Sequence, residues 1–313
     1  MKRIILALTI CLSIGTIFTL NSCKKAAPAA KDDSTSAEDA NNVSNALNST
    51  NDDATNAAGT NASISGKTAG FEVLCGVLVT VDSVNGVLTL TYSGNDCNSV
   101  VKRQGTVTVT LLGYAIGARW KSAGATMQIV YNNLVITNVA TGASFTLSGT
   151  HYLTNVNGGF AYKVLDGTAT GPVIHKHVSD NFTVTFANGT QKTWSVRRTR
   201  TFDGTAGLGV KTITLAGDTT VNGDNHVEIW GTNRNGDVFE SALIRPIISN
   251  STCGYYHPVS GEYTHFVANR SIDILFGVDA NGNIITNGAC PYGYNITYTV
   301  NSVTKFKTDS YWF

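Results

Sequence analysis

Nine tight-turn dipeptides pace the chain after residue 70. Asn-Gly occurs at Asn85, Asn157, Asn188, Asn222, Asn235, Asn281 and Asn287, and Asp-Gly at Asp166 and Asp203. These pairs accept positive φ, the condition for a short hairpin turn. Between them apolar residues alternate with Thr or Asn. Leu88-Thr89-Leu90-Thr91-Tyr92, Thr106 to Leu111, Phe182 to Phe186 and Tyr294 to Val300 all do so. Period two with one apolar face marks a half-buried antiparallel strand. No amphipathic helix is expected after residue 70. Residues 70–313 therefore read as a single all-β domain, an antiparallel meander forming a β-sandwich or an incomplete β-barrel. Two packed sheets or one strongly curled sheet would hide the apolar face. Composition agrees: 31 Gly serve turns, and charged residues make up only 14 %. A formal net charge of +1 gives no case for a nucleic-acid partner.

The N-terminus reads as a targeting segment. Met1-Lys2-Arg3 is basic, and Ile4 to Leu20 is an apolar run with few polar breaks. Such a run is short for a spanning helix, which needs about 20 apolar residues. It ends in Leu20-Asn21-Ser22-Cys23, which resembles the lipobox of bacterial lipoproteins, with Asn21 as a departure. The resemblance implies cleavage after residue 22 and diacylglyceryl attachment at Cys23. A plain signal peptide or an uncleaved helix is the alternative. Lys24 after the Cys points to the outer membrane, and Lys31-Asp32-Asp33 resembles a surface-export signal, which leaves the periplasmic or cell-surface face open.

Residues 23–69 read as a lipid-anchored flexible linker. Ala, Asn, Asp, Ser and Thr dominate, with Val43, Leu47 and Ile64 as the large apolar residues. Such a segment buries too little apolar surface of its own to offset the entropy of ordering. Ala37 to Leu47 is expected to be helical only transiently.

Cys11 leaves with the leader and Cys23 takes lipid, so Cys75, Cys97, Cys253 and Cys290 remain to form disulfides in an oxidising compartment. Three pairings are open. A two-residue turn at Asn85-Gly86 would place Cys75 opposite Asp96, beside Cys97. One bulge or a slightly different loop would then join Cys75 to Cys97 and leave Cys253 with Cys290.

Lys192 to Phe202, Gly231-Thr232-Asn233-Arg234-Asn235-Gly236, Arg245-Pro246, Cys253, Val259-Ser260-Gly261 and Cys290 resemble a group of β-rich lipoproteins of Bacteroidota whose function is uncharacterised. The resemblance implies an all-β lipoprotein and supplies no activity.

Candidate sites follow from the strand faces. Trp194, Val196, Arg198, Arg200 and Phe202 share one face, with Arg197 on the other. Trp194, Arg198 and Arg200 are candidates for binding an anion or a sugar. The competing expectation pairs the arginines with carboxylates such as Glu228 or Glu240. His175-Lys176-His177 and His226-Val227-Glu228 offer imidazoles to a metal, but nothing in the sequence brings the two together, and an exposed loop or edge is expected for them. Asp279 to Asn283 is expected to be a hairpin rather than a calcium loop. Tyr311-Trp312-Phe313 resembles the terminal signal of outer-membrane barrels, yet the strands are mostly short for crossing a membrane.

No catalytic residue, metal or cofactor is assigned. The sequence leads to a non-enzymatic envelope lipoprotein of binding or structural role, with a membrane, a glycan or another envelope protein as partner. Trp120, Trp194, Trp230 and Tyr255-Tyr256 are possible glycan contacts. The alternatives are a hydrolase acting on polysaccharide and an outer-membrane β-barrel.

Overall fold

Alternating segments become strands, and all nine turn dipeptides fall in loops or at element ends. The computed structural model describes residues 33–66, 74–169, 171–205, 209–268, 270–300 and 302–311. Residues 1–22, expected to be a leader, and Cys23 lie outside the described residues. Fifteen strands follow in order: β1 Val77–Asp82, β2 Val87–Asn95, β3 Val101–Leu111, β4 Ala125–Asn138, β5 Ser144–Asn155, β6 Val173–Phe186, β7 Gln191–Asp203, β8 Thr212–Gly217, β9 Thr219–Val221, β10 Asp224–Thr232, β11 Val238–Asn250, β12 Ser260–Val267, β13 Arg270–Val278, β14 Gly293–Val300 and β15 Val303–Ser310.

They form one antiparallel sheet, so the curled-sheet alternative holds and the sandwich does not. Neighbours in sequence are neighbours in space from β1 to β7 and from β10 to β15. Between β7 and β11, β10 and β8 share one slot. β10 covers Trp194 to Val196 of β7, and β8 covers Arg198 to Asp203. The sheet thus has thirteen strand positions, with β1 and β15 as its edges.

The main correction concerns the segment read as a flexible linker. Ser34–Thr60 is a helix, α1, followed by a short turn of helix, α2, at Ala62–Ser65. Twenty of the 27 residues of α1 are buried, although most of it is Ala, Asn, Ser and Thr. A helix lying on a surface buries one stripe, and one buried all round is central. Side chains of α1 bond to Tyr92 of β2, Arg103 of β3, Tyr131 of β4, His151 of β5, His177 of β6, Arg198 of β7, Glu228 of β10 and His265 of β12. The sheet therefore wraps the helix. An eight-stranded barrel can be filled by its own side chains, whereas a wider one needs a filler. Small residues on α1 let large side chains from the strands close around it. Leu90, Val107, Met127, Ile129, Leu147, Leu153 and Ile274 are all fully buried within the same core as Ala40, Val43, Leu47 and Ala54.

Outward positions on two of the strands are mostly polar: Lys102, Gln104, Thr106, Thr108 and Thr110 on β3, and Ser144, Thr146, Ser148, Thr150 and Thr154 on β5, with Tyr152 exposed among the latter. Among the described residues no helix is long and apolar enough to cross a membrane.

Bulges bend the sheet. On β4 the inward set shifts phase, from Met127, Ile129 and Tyr131 to Leu134 and Ile136. On β6 it shifts from His177 and Ser179 to Phe182 and Val184. Asn133 and Asn181, at φ +51° and +55°, absorb these shifts. Opposite Asn133 lies Gly105, at φ +128°, where an added Cβ would stand 2.7 Å from the Asn133 carbonyl oxygen. We expect Gly105→Ala to cost about 1–3 kcal/mol in urea unfolding, from crowding added to an unfavourable φ. Gly142→Ala isolates the φ cost, since φ is +72° there and nothing lies within 4 Å. Equal losses at the two sites would contradict close approach at the bulge.

Both expected disulfides are present, Cys75–Cys97 and Cys253–Cys290. The first arises from a different register. Asp82 pairs with Val87 around a four-residue turn, so Asn85-Gly86 forms its second half rather than the whole turn. Two short helical pieces also follow residue 70: a 3-10 turn at Tyr114–Ile116, and α3 at Ala161–Leu165.

Candidate functional site

The candidate residues Trp194, Arg198 and Arg200 do share one face of β7, and that face points to the interior. Trp194 donates its indole N–H to the Thr232 carbonyl at 2.7 Å and packs edge-on against Phe239. Arg198 is fully buried. Its Nη1 donates to Glu228 Oε2 at 3.0 Å and to Ser44 Oγ at 2.5 Å, and its Nη2 donates to the Ser44 carbonyl. A register shift between Val227 and Ile229 on β10 leaves Glu228 buried beside it. Burial lowers the Arg198 pKa from its ordinary value, and the Glu228 carboxylate opposes that shift. Arg200 forms a bidentate pair with Asp52 of α1, at 2.6 and 3.0 Å, and Tyr256 donates to the same carboxylate at 2.9 Å. These arginines are matched inside the protein rather than offered to an anion. Of the two carboxylates expected, Glu228 is used; Glu240 accepts from Asn222 instead.

Around α1 the pattern repeats. Arg103 pairs with Asp53 at 2.7 Å, and Tyr92 donates to Asp53 as well. Burial raises the Asp53 pKa, with Arg103 pulling it down. Tyr131 donates to Asn51 Oδ1 at 2.8 Å, while Asn51 Nδ2 lies 3.2 Å from His151 Nε2 and 3.3 Å from His177 Nδ1. At its N-terminal end α1 is fixed by Asp33 to Arg270, Glu38 to Lys307 and Asp39 to Arg234. Asp33, at the N-cap, also meets the positive dipole end of the helix.

His175 and His177, expected at an edge or loop, are instead buried with His151. The strands carrying them are central in the sheet, and the odd positions of β6 face inward there. His226 is exposed, so the two histidine segments are not brought together. Among the described residues no group of three or more His, Cys, Asp or Glu is placed to hold a metal. Asp279 uses its carboxylate within its turn, accepting from the backbone N–H groups of Asn281 and Asn283. Tyr311 packs internally, donating to the Pro258 or Gly293 carbonyl. Trp312 and Phe313 lie outside the described residues.

The histidines give the fold a defined acid response. Burial lowers the pKa of His151, His175 and His265 from 6.5 to about 3, and burial also lowers that of His177. Unfolded histidines take protons near pH 6.5, and the folded ones resist until about pH 3. Stability is therefore complete above that upper value and declines as pH falls through the window. Each such histidine contributes a slope of about 1.4 kcal/mol per pH unit. Asp39 and Asp53, whose pKa burial raises, titrate in the opposite sense and soften the decline. His175 packs against Phe202 and Trp120 with both ring nitrogens lacking a hydrogen-bond partner. We expect His175→Phe to flatten the dependence of unfolding free energy on pH between 4 and 6 by about one such slope. An unchanged slope would contradict its burial as a neutral ring.

Two clefts open beside the helix. One, of about 250 Å³, lies near its N-terminal end and is lined by Glu38, Asp39, Phe145, Phe186 and Arg234. The other, of about 320 Å³, lies beside its C-terminal half. Asp52, Asn56, Tyr162, Asp166, Tyr255 and Tyr256 line it. Tyr255 donates to the Leu165 carbonyl at 3.2 Å, and Asp166 accepts from Thr168. An interior cavity of about 30 Å³ shares Tyr255 and Tyr256 with this cleft. That is room for one water. Of the aromatics expected to meet a glycan, Trp120 and Trp194 are core and Trp230 lies near Arg197, whereas Tyr255 and Tyr256 line the cleft.

The sequence reading missed Ser44, Asn51, Asp52 and Asp53. The available signal was the number of inward polar residues on the strands, which called for partners the strands do not supply. No family model, no curated protein and no solved structure matches the chain.

Proposed function

We propose that the protein is a lipoprotein of the cell envelope, tethered to the outer membrane through lipid on Cys23, and that its helix-filled barrel binds a ligand rather than transforming one. The observation that carries this reading is the inside-out relation to a membrane barrel. Lipid-facing barrels turn their apolar residues outward, whereas here the fully buried apolar residues of β3 to β6 face α1 and the outward positions are mostly polar, with Val130, Val135, Ile174 and Val178 half-buried among them. Such a body stands in water and needs a separate anchor. The lipobox supplies one, and the likeness to lipoproteins of Bacteroidota agrees with it. Diacyl attachment holds firmly, at about 0.8 kcal/mol per buried methylene.

Binding is favoured over hydrolysis by the state of the acids. Asp52 and Asp166 both line the larger cleft, as a glycosidase would require. Yet Asp52 is held by Arg200 and Tyr256, and Asp166 by Thr168. Asp52 thus has both oxygens engaged, and Asp166 caps its own turn through Oδ1.

Metabolic labelling with a palmitate analogue tests the tether. Wild type should label and fractionate with membranes, and Cys23→Ala should lose the label and become soluble without detergent. Label retained by Cys23→Ala, or a variant that still needs detergent, would overturn the reading.

A further inference from the structure

We propose that the cleft between α1, α3 and the Tyr255-Tyr256 segment is a binding site for one neutral pyranose ring. This rests on the binding role proposed above and gives that role a place and a ligand class.

Size sets the first limit. About 320 Å³ lies at the small end of ligand pockets, about 300–1,000 Å³, and has room for a single monosaccharide ring. Charge sets the second. The lining holds Asp52 and Asp166 and no Lys, Arg or His, so an anionic ligand would face carboxylates alone. Arg200 already offsets the charge of Asp52, which removes much of the attraction for a cation.

Chemistry sets the third. Tyr162, Tyr255 and Tyr256 bring three aromatic rings to one small space, where pyranose C–H groups pack. Thr55 and Asn56 line the same space with a hydroxyl and an amide for sugar hydroxyls. Tyr256 and Tyr255 direct their hydroxyls to Asp52 and to the Leu165 carbonyl, which fixes the rings in advance. Pre-ordered walls reduce the entropy cost of binding. Gly59 has the same effect on Tyr162. A Cβ there would stand 2.6 Å from the Tyr162 ring, so the bare glycine lets the ring lie against the helix.

Behind the tyrosines the small cavity adds an independent sign. Asn45 and Asn48 line it, and their Nδ2 and Oδ1 atoms respectively are buried without a hydrogen-bond partner. A donor and an acceptor left unmatched beside the shared wall suit one water, through which a ligand hydroxyl is reached.

The test is saturation-transfer NMR on the full chain carrying Cys23→Ala, so that a failed tether and a failed site are read separately. The probes are the methyl glycosides of glucose, galactose, mannose, N-acetylglucosamine, fucose and xylose, with tetramethylammonium and sulfate as charged comparisons. At least one glycoside should bind. Tyr255→Phe should retain that binding, and Tyr255→Ala should weaken it about tenfold, the value of one stacked ring. Tyr162→Ala gives the same reading should Tyr255→Ala fail to fold. Binding by none of the glycosides, binding of a charged probe in their place, or full binding after either ring is removed would overturn the proposal.

Discussion

A chain lacking residues 34–60 will not fold cooperatively. That is the largest effect expected for any change to this protein, and it separates the observed structure from the linker that composition alone implies. Removing α1 takes twenty buried residues from the centre of the sheet. It also strips Arg103, Arg198 and Arg200 of Asp53, Ser44 and Asp52. Breaking a buried ion pair costs about 3–5 kcal/mol. Two such losses, about 6–10 kcal/mol together, are comparable to a typical total stability of about 5–15 kcal/mol, and the lost burial adds to them. The deleted chain should show no near-ultraviolet circular dichroism and no sigmoidal melt. A spacer of the same length would be removed with the melting temperature unchanged.

Arg198→Met is expected to destabilise the protein by about 3–5 kcal/mol. The substitution keeps much of the volume but leaves Glu228 as a buried carboxylate without its cation, with Ser44 as its remaining donor. Glu228→Met should cost a similar amount by stranding the guanidinium. The double variant, Arg198→Met with Glu228→Met, should lose much less than the sum, because two thioethers pack without charge. Urea unfolding of the four proteins measures this coupling. If Arg198 were an exposed ligand contact, the single substitution would stay within about 0.5 kcal/mol of wild type.

Much of the sheet is legible in the sequence because its rule is local. Period two places Trp194, Val196, Arg198, Arg200 and Phe202 on one face whatever lies beyond the strand, and the structure keeps them there. Asn222-Gly223 closes a two-residue hairpin between Val221 and Asp224, as the residue types require. Even the phase shifts on β4 and β6 are written as Asn132-Asn133 and Asp180-Asn181 between apolar runs. What the sequence conceals is the role of α1. The disorder criterion asks whether a segment can bury enough apolar surface of its own. Here the strands contribute the apolar surface, and the helix needs only to be narrow and polar where the strands are polar. Asp52 and Asp53 look like solvent-facing acids until Arg200 and Arg103 are placed opposite them. The same reasoning moves His175 and His177 from an expected edge to the centre, since nothing local says that thirteen strand positions enclose a helix.

Amide hydrogen exchange at Val43 to Asn51 tests this most directly. If α1 is the core of the barrel, these amides exchange as slowly as that of Ile129 on β4, through global unfolding alone. Exchange at the rate of a free peptide would mean that the helix is not held, and the account of the interior built around it would fail.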